Sequence, residues 1–264
     1  MSRVRACVVT GFGINADEEL ALAFEIAGAR AERVHARDLS DEPGLLARFQ
    51  ILAFPGGFSF GDHLGSGKVF AALFRQSLGA AIEGLVSRGG LVIGICNGFQ
   101  ALVKMGFLPD LAGTHTQEAS LVHNDSGRFE DRWVRVAFDT GCRCLWTRGL
   151  EDVDLPVRHG EGKLVVESPE VLDALRSRGL VAMRYVARGE KAAAGRVDFP
   201  DDPNGSVDHI AGICDPTGRV FGLMPHPEAY LFPENHPEWT RGNSPAGAGL
   251  AIFRGGVRAA RAAL

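Results

Sequence analysis

A chain of 264 residues that is 45% hydrophobic and 23% charged can bury a large core and has the make-up of an ordinary globular protein. Its formal net charge of −4 leaves no basic footprint for nucleic acid, and no run reaches the roughly 18 apolar residues of a membrane span. The apolar run after the basic start Met1–Arg5 stops at Thr10, too short for a secretion signal. Five cysteines without a framework spacing point to a reducing compartment, so the expected location is cytoplasmic.

In chain order, Ala6–Val9 reads as a buried strand followed by the turn Gly11-Phe12-Gly13. Asn15 is placed to cap a helix from Asp17 to Ala27, with Gly28 as its stop. Short strands are predicted over Arg33–His35 and Ile51–Phe54, the second running into the Gly-rich loop Pro55–Asp62. Helical spacing covers Val69–Phe74 and again Leu78–Val86, closed by Gly89-Gly90. Leu91–Ile95 is the fourth strand. Near-continuous apolar strands alternating with helices predict a parallel sheet covered on both faces, with ligands at the strands' carboxyl ends. Further on, Trp133–Phe138 alternates as a half-exposed antiparallel strand should. Leu155–Val157, Lys163–Val166 and Val181–Val186 are further strands, and Ser168 caps a Pro169–Arg178 helix. Ile210–Cys214 and Arg219–Met224 flank the hairpin signal Asp215-Pro216-Thr217-Gly218. Tyr230–Pro245 holds three prolines and no period, so it is expected as an irregular surface excursion before a last helix, Ala248–Ala263. No repeat or linker interrupts the chain, and one domain over residues 1–264 is expected.

The chemistry centres on Gly94-Ile95-Cys96-Asn97-Gly98. A strand that runs straight into a helix forces a crowded turn, and glycines two positions before and after its apex relieve the crowding. This is a nucleophile elbow with cysteine at the apex, where the amides and dipole of the following helix favour a thiolate. The nucleophile needs a base, and the base an orienting group. His226-Pro227-Glu228 supplies both: residues i and i+2 of an extended segment share a side, and Pro225 and Pro227 exclude helix. It follows the apolar run Val220–Met224, so it also lies at a strand end. His236-Pro237-Glu238 has the same three residues without a strand before it, and is the less suitable copy. The loop Pro55-Gly56-Gly57 offers backbone N–H groups that, with the amide of Asn97, form a candidate oxyanion hole through Gly57 and Asn97.

Other motifs are weaker. Gly65-Ser66-Gly67-Lys68 fails as a phosphate loop because Asp62 and Val69 occupy the positions of the required Gly and Ser or Thr. Cys142 and Cys144 are half of a metal site without a second half, and no metal is expected. Cys7 and Cys214 read as core. His159, at a predicted strand end, is open to a structural or a functional role. Asn124-Asp125-Ser126 matches a glycosylation acceptor, which has no meaning without secretion.

The order Cys…His-x-Glu resembles class I glutamine amidotransferases. Within them, Pro55–Asp62, Gly94–Gln100, Asn124–Phe129, His159–Gly162, Asn204–Ser206 and Met224–Glu228 are similar to segments of the glutaminases of phosphoribosylformylglycinamidine synthase, together spanning roughly Val8 to Glu228. The resemblance implies a three-layer, flavodoxin-like α/β fold: a mostly parallel sheet, helices on both faces and an antiparallel extension. It implies that Cys96 attacks the side-chain amide of L-glutamine, that His226 moves the protons and that Glu228 orients it. By the same resemblance Gly57 and Asn97 hold the oxyanion, Gln100 contacts the bound glutamine, and Asn124 and Ser126 grip its amino-acid end. The implied products are glutamate and ammonia, the latter passed to an ATP-dependent synthetase of purine biosynthesis. No ATP site is seen here, so the synthetase is expected as a separate subunit, at times with a small accessory protein; ATP and magnesium belong to that partner. Ala229 stands where such enzymes often have Arg, and Tyr230–Pro245 is longer than a minimal glutaminase needs, which suggests docking through Trp239 and Arg241. A glutaminase serving another acceptor and a degenerate, non-catalytic binding subunit are the alternatives.

Overall fold

The structure, a computed structural model, describes residues 3–188, 196–242 and 247–263. Its strands are β1 Arg5–Thr10, β2 Arg30–His35, β3 Ile51–Phe54, β4 Leu91–Ile95, β5 Ala119–Val122, β6 Glu130–Phe138, β7 Val153–His159, β8 Lys163–Val166, β9 Val181–Val186, β10 Ile210–Cys214 and β11 Val220–Leu223. Its helices are α1 Asp17–Ile26, α2 Ala36–Asp41, α3 Lys68–Ser87, α4 Asn97–Lys104, α5 Pro169–Ser177 and α6 Leu250–Ala262. Nine strands form one sheet in the order β2-β1-β3-β4-β11-β10-β9-β6-β7, while β5 and β8 pair separately. From β2 to β11 every pairing is parallel; from β11 to β7 every pairing is antiparallel. The parallel part and the antiparallel extension are those expected.

The chain moves from β1 to β2 in one direction and from β3 to β4 in the other. Right-handed crossovers of opposite direction place α1 and α3 on opposite faces of the sheet. Accordingly α1 packs with α6, and α3 with α2 and α4. One apolar cluster runs through both halves of the sheet, from Val8, Phe54 and Ile93 to Val134, Leu155 and Met183. Helix α3 alone among the described residues has the length and composition to cross a membrane, with a mean hydropathy of 1.3. Its stripe Phe70, Phe74, Leu78, Ile82 and Leu85 is buried instead in this core.

Several boundaries differ from the sequence reading. The N-cap of α1 is Ala16, with no side-chain cap, because the Asn15 and Ala16 amides both point to the Gly56 carbonyl at 3.4 Å. The two helical stretches after residue 68 are one helix, since Arg75-Gln76-Ser77 between them is helix-compatible and simply faces outward. Helix α2, the 3-10 turn Pro43–Arg48 and strand β5 had no distinct sequence signal. The excursion after Tyr230 contains 3-10 turns at Pro233–Asn235 and Trp239–Arg241; residues 243–245 of it lie outside the described residues.

Register sets the geometry that matters. Strand β4 lies between β3 and β11, with Phe54 opposite Gly94 and Leu223 opposite Ile95. All three strands therefore end at one level. Pro55-Gly56-Gly57, Cys96 and Pro225-His226 leave the sheet side by side.

Candidate active site

Cys96 sits between β4 and α4 with φ 51° and ψ −104°, a strained backbone that costs about 1–3 kcal/mol and persists only where the surroundings enforce it. Those surroundings are tight. A Cβ on Gly98 would lie 2.1 Å from the Phe54 carbonyl oxygen, and one on Gly94 would lie 2.6 Å from the Gly98 carbonyl oxygen. The elbow thus requires both glycines. The Cys96 amide donates to Leu223 O at 2.8 Å, tying the apex to β11, and its thiol faces Arg158 O at 3.6 Å.

His226 follows β11 directly and is buried at 5% exposure. Its amide donates to Pro156 O of β7 at 2.8 Å, and its Nδ1 lies 2.6 Å from Glu228 Oε1. That contact assigns the Nδ1 proton toward Glu228 and aims Nε2 into the site, where it is buried without a hydrogen-bond partner. Burial alone would lower the imidazole pKa, but the Glu228 carboxylate and the Cys96 sulfur more than offset it and push it up to about 10. A Cβ on Gly56 would stand 2.7 Å from the His226 ring and 3.6 Å from the Cys96 Cβ, so the loop closes directly on both the imidazole and Cys96.

The Gly57 backbone has φ 147° and packs against Gly13 O and Ile14, an approach only glycine permits. Neither the Gly57 nor the Asn97 amide donates to a backbone carbonyl among the described residues. Both remain available to an oxyanion at the start of α4. The Asn97 side chain accepts from the Ser59 amide at 3.1 Å and donates to Asp62 and to Gln100 Oε1, which locks the Gly-rich loop to the elbow helix. Gln100 in turn donates to Glu161 O at 2.6 Å, which leaves one Nε2 hydrogen and one Oε1 lone pair unused.

A cleft of about 240 Å³ opens above Cys96, lined by Gly57, Phe58 and His226 and, on its outer walls, by Asn15, Ala16, Glu19, Phe129 and Arg158. Glu19 and Arg158 carry no motif in the sequence; their only signal is position, in the first turn of α1 and next to His159.

Asn124 and Ser126 do not join this cleft. Asn124 donates to Arg128 O and His159 O and accepts from His159 Nδ1 and the Gly162 amide, so its capacity is full. It clamps the loop after β5 to the end of β7. Ser126 bonds Glu130 and lines a separate pocket with Asp202 and His209. His159 resolves as structural: burial and the charge on His226 push it down to about 3, so it is neutral, and Gly162 packs on its ring. His236 packs against Trp133 and Tyr230, away from Cys96.

The Ser66 and Gly67 amides point to the carboxylates of Glu161 and Asp62, which leaves no anion cradle there. Cys142 meets Cys214 at 3.7 Å, a neighbour its sequence position hid, yet no group of three metal-ligating side chains forms among the described residues.

A family model for the CobB/CobQ-like glutamine amidotransferase domain matches residues 3–258. The phosphoribosylformylglycinamidine synthase subunit PurQ of Dehalococcoides mccartyi is 45% identical over 262 residues, 99% of each chain. The subunit of the same name from Treponema denticola is 40% identical over 236 residues, 85% of this chain and 87% of that one. In three dimensions the chain matches one in the structure of PurLQS from Thermotoga maritima, with a TM-score of 0.70 and 29% identity over 97% and 99% of the two chains. A putative GMP synthase subunit from Thermoplasma acidophilum shares the fold, with a TM-score of 0.59 at 14% identity over 99% and 96% of the two chains.

Proposed function

Because the chain belongs to the CobB/CobQ-like glutamine amidotransferase domain family, we propose that it is the glutaminase subunit of a phosphoribosylformylglycinamidine synthase, hydrolysing L-glutamine and supplying ammonia to an ATP-dependent synthetase in purine biosynthesis. The observation that carries the reading is the common level of three strand ends, which gathers an elbow thiol, a Glu-oriented imidazole and two free amides around one cleft.

The chemistry follows from that arrangement. Cys96 Sγ adds to the carboxamide carbon of glutamine, and the amides of Gly57 and Asn97 receive the oxygen as its charge develops. The imidazolium of His226 gives its Nε2 proton to the departing nitrogen, so ammonia leaves and a γ-glutamyl thioester stays on Cys96. A water that loses its proton to His226 Nε2 then cleaves the thioester, releasing glutamate and restoring the thiol. Glu228, buried beside Nδ1, keeps the imidazole in place and stabilises its charged form. Gln100 is buried and does not line the cleft; bonded to the Asn97 side chain and to Glu161 O, it acts on the glutamine site by holding the elbow helix to the loop after β7.

The whole chain acts as one domain in the reducing cytoplasm, in keeping with five free thiols. The excursion after Tyr230 docks on the synthetase through Trp239, which is 51% exposed, and through Arg241, held by Glu238 at 2.7 Å. If Trp239→Ala with Arg241→Ala leaves the affinity of the two subunits unchanged, that docking role is wrong. The function itself is tested with Cys96→Ala in the complex. Glutamine-dependent amidine synthesis is expected to vanish while ammonia-dependent synthesis persists; loss of neither would contradict the nucleophile.

A further inference from the structure

Glutamine reaches Cys96 with two charged ends, an α-ammonium and an α-carboxylate, and the cleft carries one unpaired charge of each opposite sign. The first turn of α1 holds three acids, Asp17, Glu18 and Glu19. Two of them are committed, because Arg33 reaches Asp17 at 3.2 Å and Glu18 at 2.8 Å. Glu19 makes no ion pair or side-chain hydrogen bond among the described residues, and it lines the cleft. The turn that carries it is fastened to the oxyanion loop, since the Asn15 and Ala16 amides both point to Gly56 O. On the other wall, Arg158 is the penultimate residue of β7, and its carbonyl receives the Cys96 thiol at 3.6 Å. Its guanidinium likewise has no partner among the described residues, although Asp131 stands opposite it in the strand register. Apart from the catalytic His226, these are the only charged side chains lining the cleft among the described residues.

We propose that Arg158 binds the α-carboxylate of glutamine and Glu19 its α-ammonium, so that the pair selects a free amino acid whose carboxamide then falls on Cys96. This deepens the glutaminase reading and rests on it. A guanidinium fork matches a carboxylate in a bidentate way that no other side chain here can offer. A glutamine held within a peptide lacks both free charges and cannot engage the pair. The competing account of Glu19 is that it merely favours the N-terminus of α1, as acids do in a first turn. Such a role would change stability and leave substrate selection untouched.

The test uses the assembled synthase and kcat/KM for three compounds: glutamine, its α-carboxamide, which lacks the carboxylate, and N-acetylglutamine, which lacks the ammonium. Removing one charge-assisted contact is expected to lower kcat/KM for glutamine by about 10–100-fold in Arg158→Gln and in Glu19→Gln. Arg158→Gln should cost nothing further on the α-carboxamide, and Glu19→Gln nothing further on N-acetylglutamine, while Arg158→Lys recovers part of the loss. Equal losses on all three compounds, or no loss on glutamine, would overturn the assignment. A wild-type complex that accepts ammonia but not glutamine would instead overturn the glutaminase reading beneath it.

Discussion

The two His-Pro-Glu triplets of this chain are identical in sequence and opposite in situation. His226 leaves β11 beside the end of β4; its Nδ1 meets Glu228 at 2.6 Å, and its Nε2 is left free toward the thiol. Ten residues on, His236 Nδ1 accepts the Glu238 amide at 3.1 Å, its ring packs on both Trp133 and Tyr230, and Glu238 is taken by Arg241. The first triplet has the geometry of a base with an orienter; the second fastens a surface excursion. What separates them is the strand in front, because only a strand registered against β4 delivers a histidine to Cys96. A triad is thus written in the register of a sheet as much as in its residues.

The largest effect expected from this comparison is catalytic. His226→Ala should lower glutamine-dependent turnover by on the order of 10²–10⁴-fold in a steady-state assay of the complex. His236→Ala should hold turnover within about twofold and instead cost about 1–2 kcal/mol in denaturant unfolding, as its ring packing is lost. A reversal of these roles would break the comparison.

Next comes the elbow. Gly98→Ala drives a methyl group into the Phe54 carbonyl, and destabilisation of about 1–3 kcal/mol or more is expected in urea titration. Unchanged stability would mean that the strand ends are not packed as described.

Two pH effects are smaller and have opposite signs. His159 has a folded-state pKa of about 3, below its ordinary 6.5, so the unfolded chain takes up the proton first and stability is lost as pH falls from 6.5 toward 3. His159→Gln should flatten that loss, which for one group is at most about 1.4 kcal/mol per pH unit. His226 is raised to about 10, so its contribution is present below 6.5 and is lost as pH rises through 10. In Glu228→Gln the NMR titration of the His226 ring should move down toward the ordinary histidine range. A midpoint that stays where it is would remove Glu228 from the triad.

Much of this was legible in the residues. Apolar runs bounded by glycine marked β1, β3 and β4, and Gly94 and Gly98 foretold the crowding that the elbow shows. The antiparallel strands were readable from alternation at Trp133–Phe138, although β6 begins earlier at Glu130. Other features depend on tertiary placement and leave no local mark. Asn15 has the chemistry of a cap, but the Gly56 carbonyl draws its amide and that of Ala16 elsewhere. Asn124 has the chemistry of a ligand grip, but a buried His159 consumes it. Glu19 and Arg158 look like any surface charges until the fold shows which of their neighbours are already paired.

The central claim is that Cys96, served by His226 and Glu228, becomes covalently glutamylated. The most direct measurement is acid quenching of the working complex with isotopically labelled glutamine, followed by peptide mapping. A γ-glutamyl thioester on Cys96, absent in Cys96→Ala, is the predicted result. Label on another cysteine, or turnover of glutamine with no label on Cys96, would contradict it.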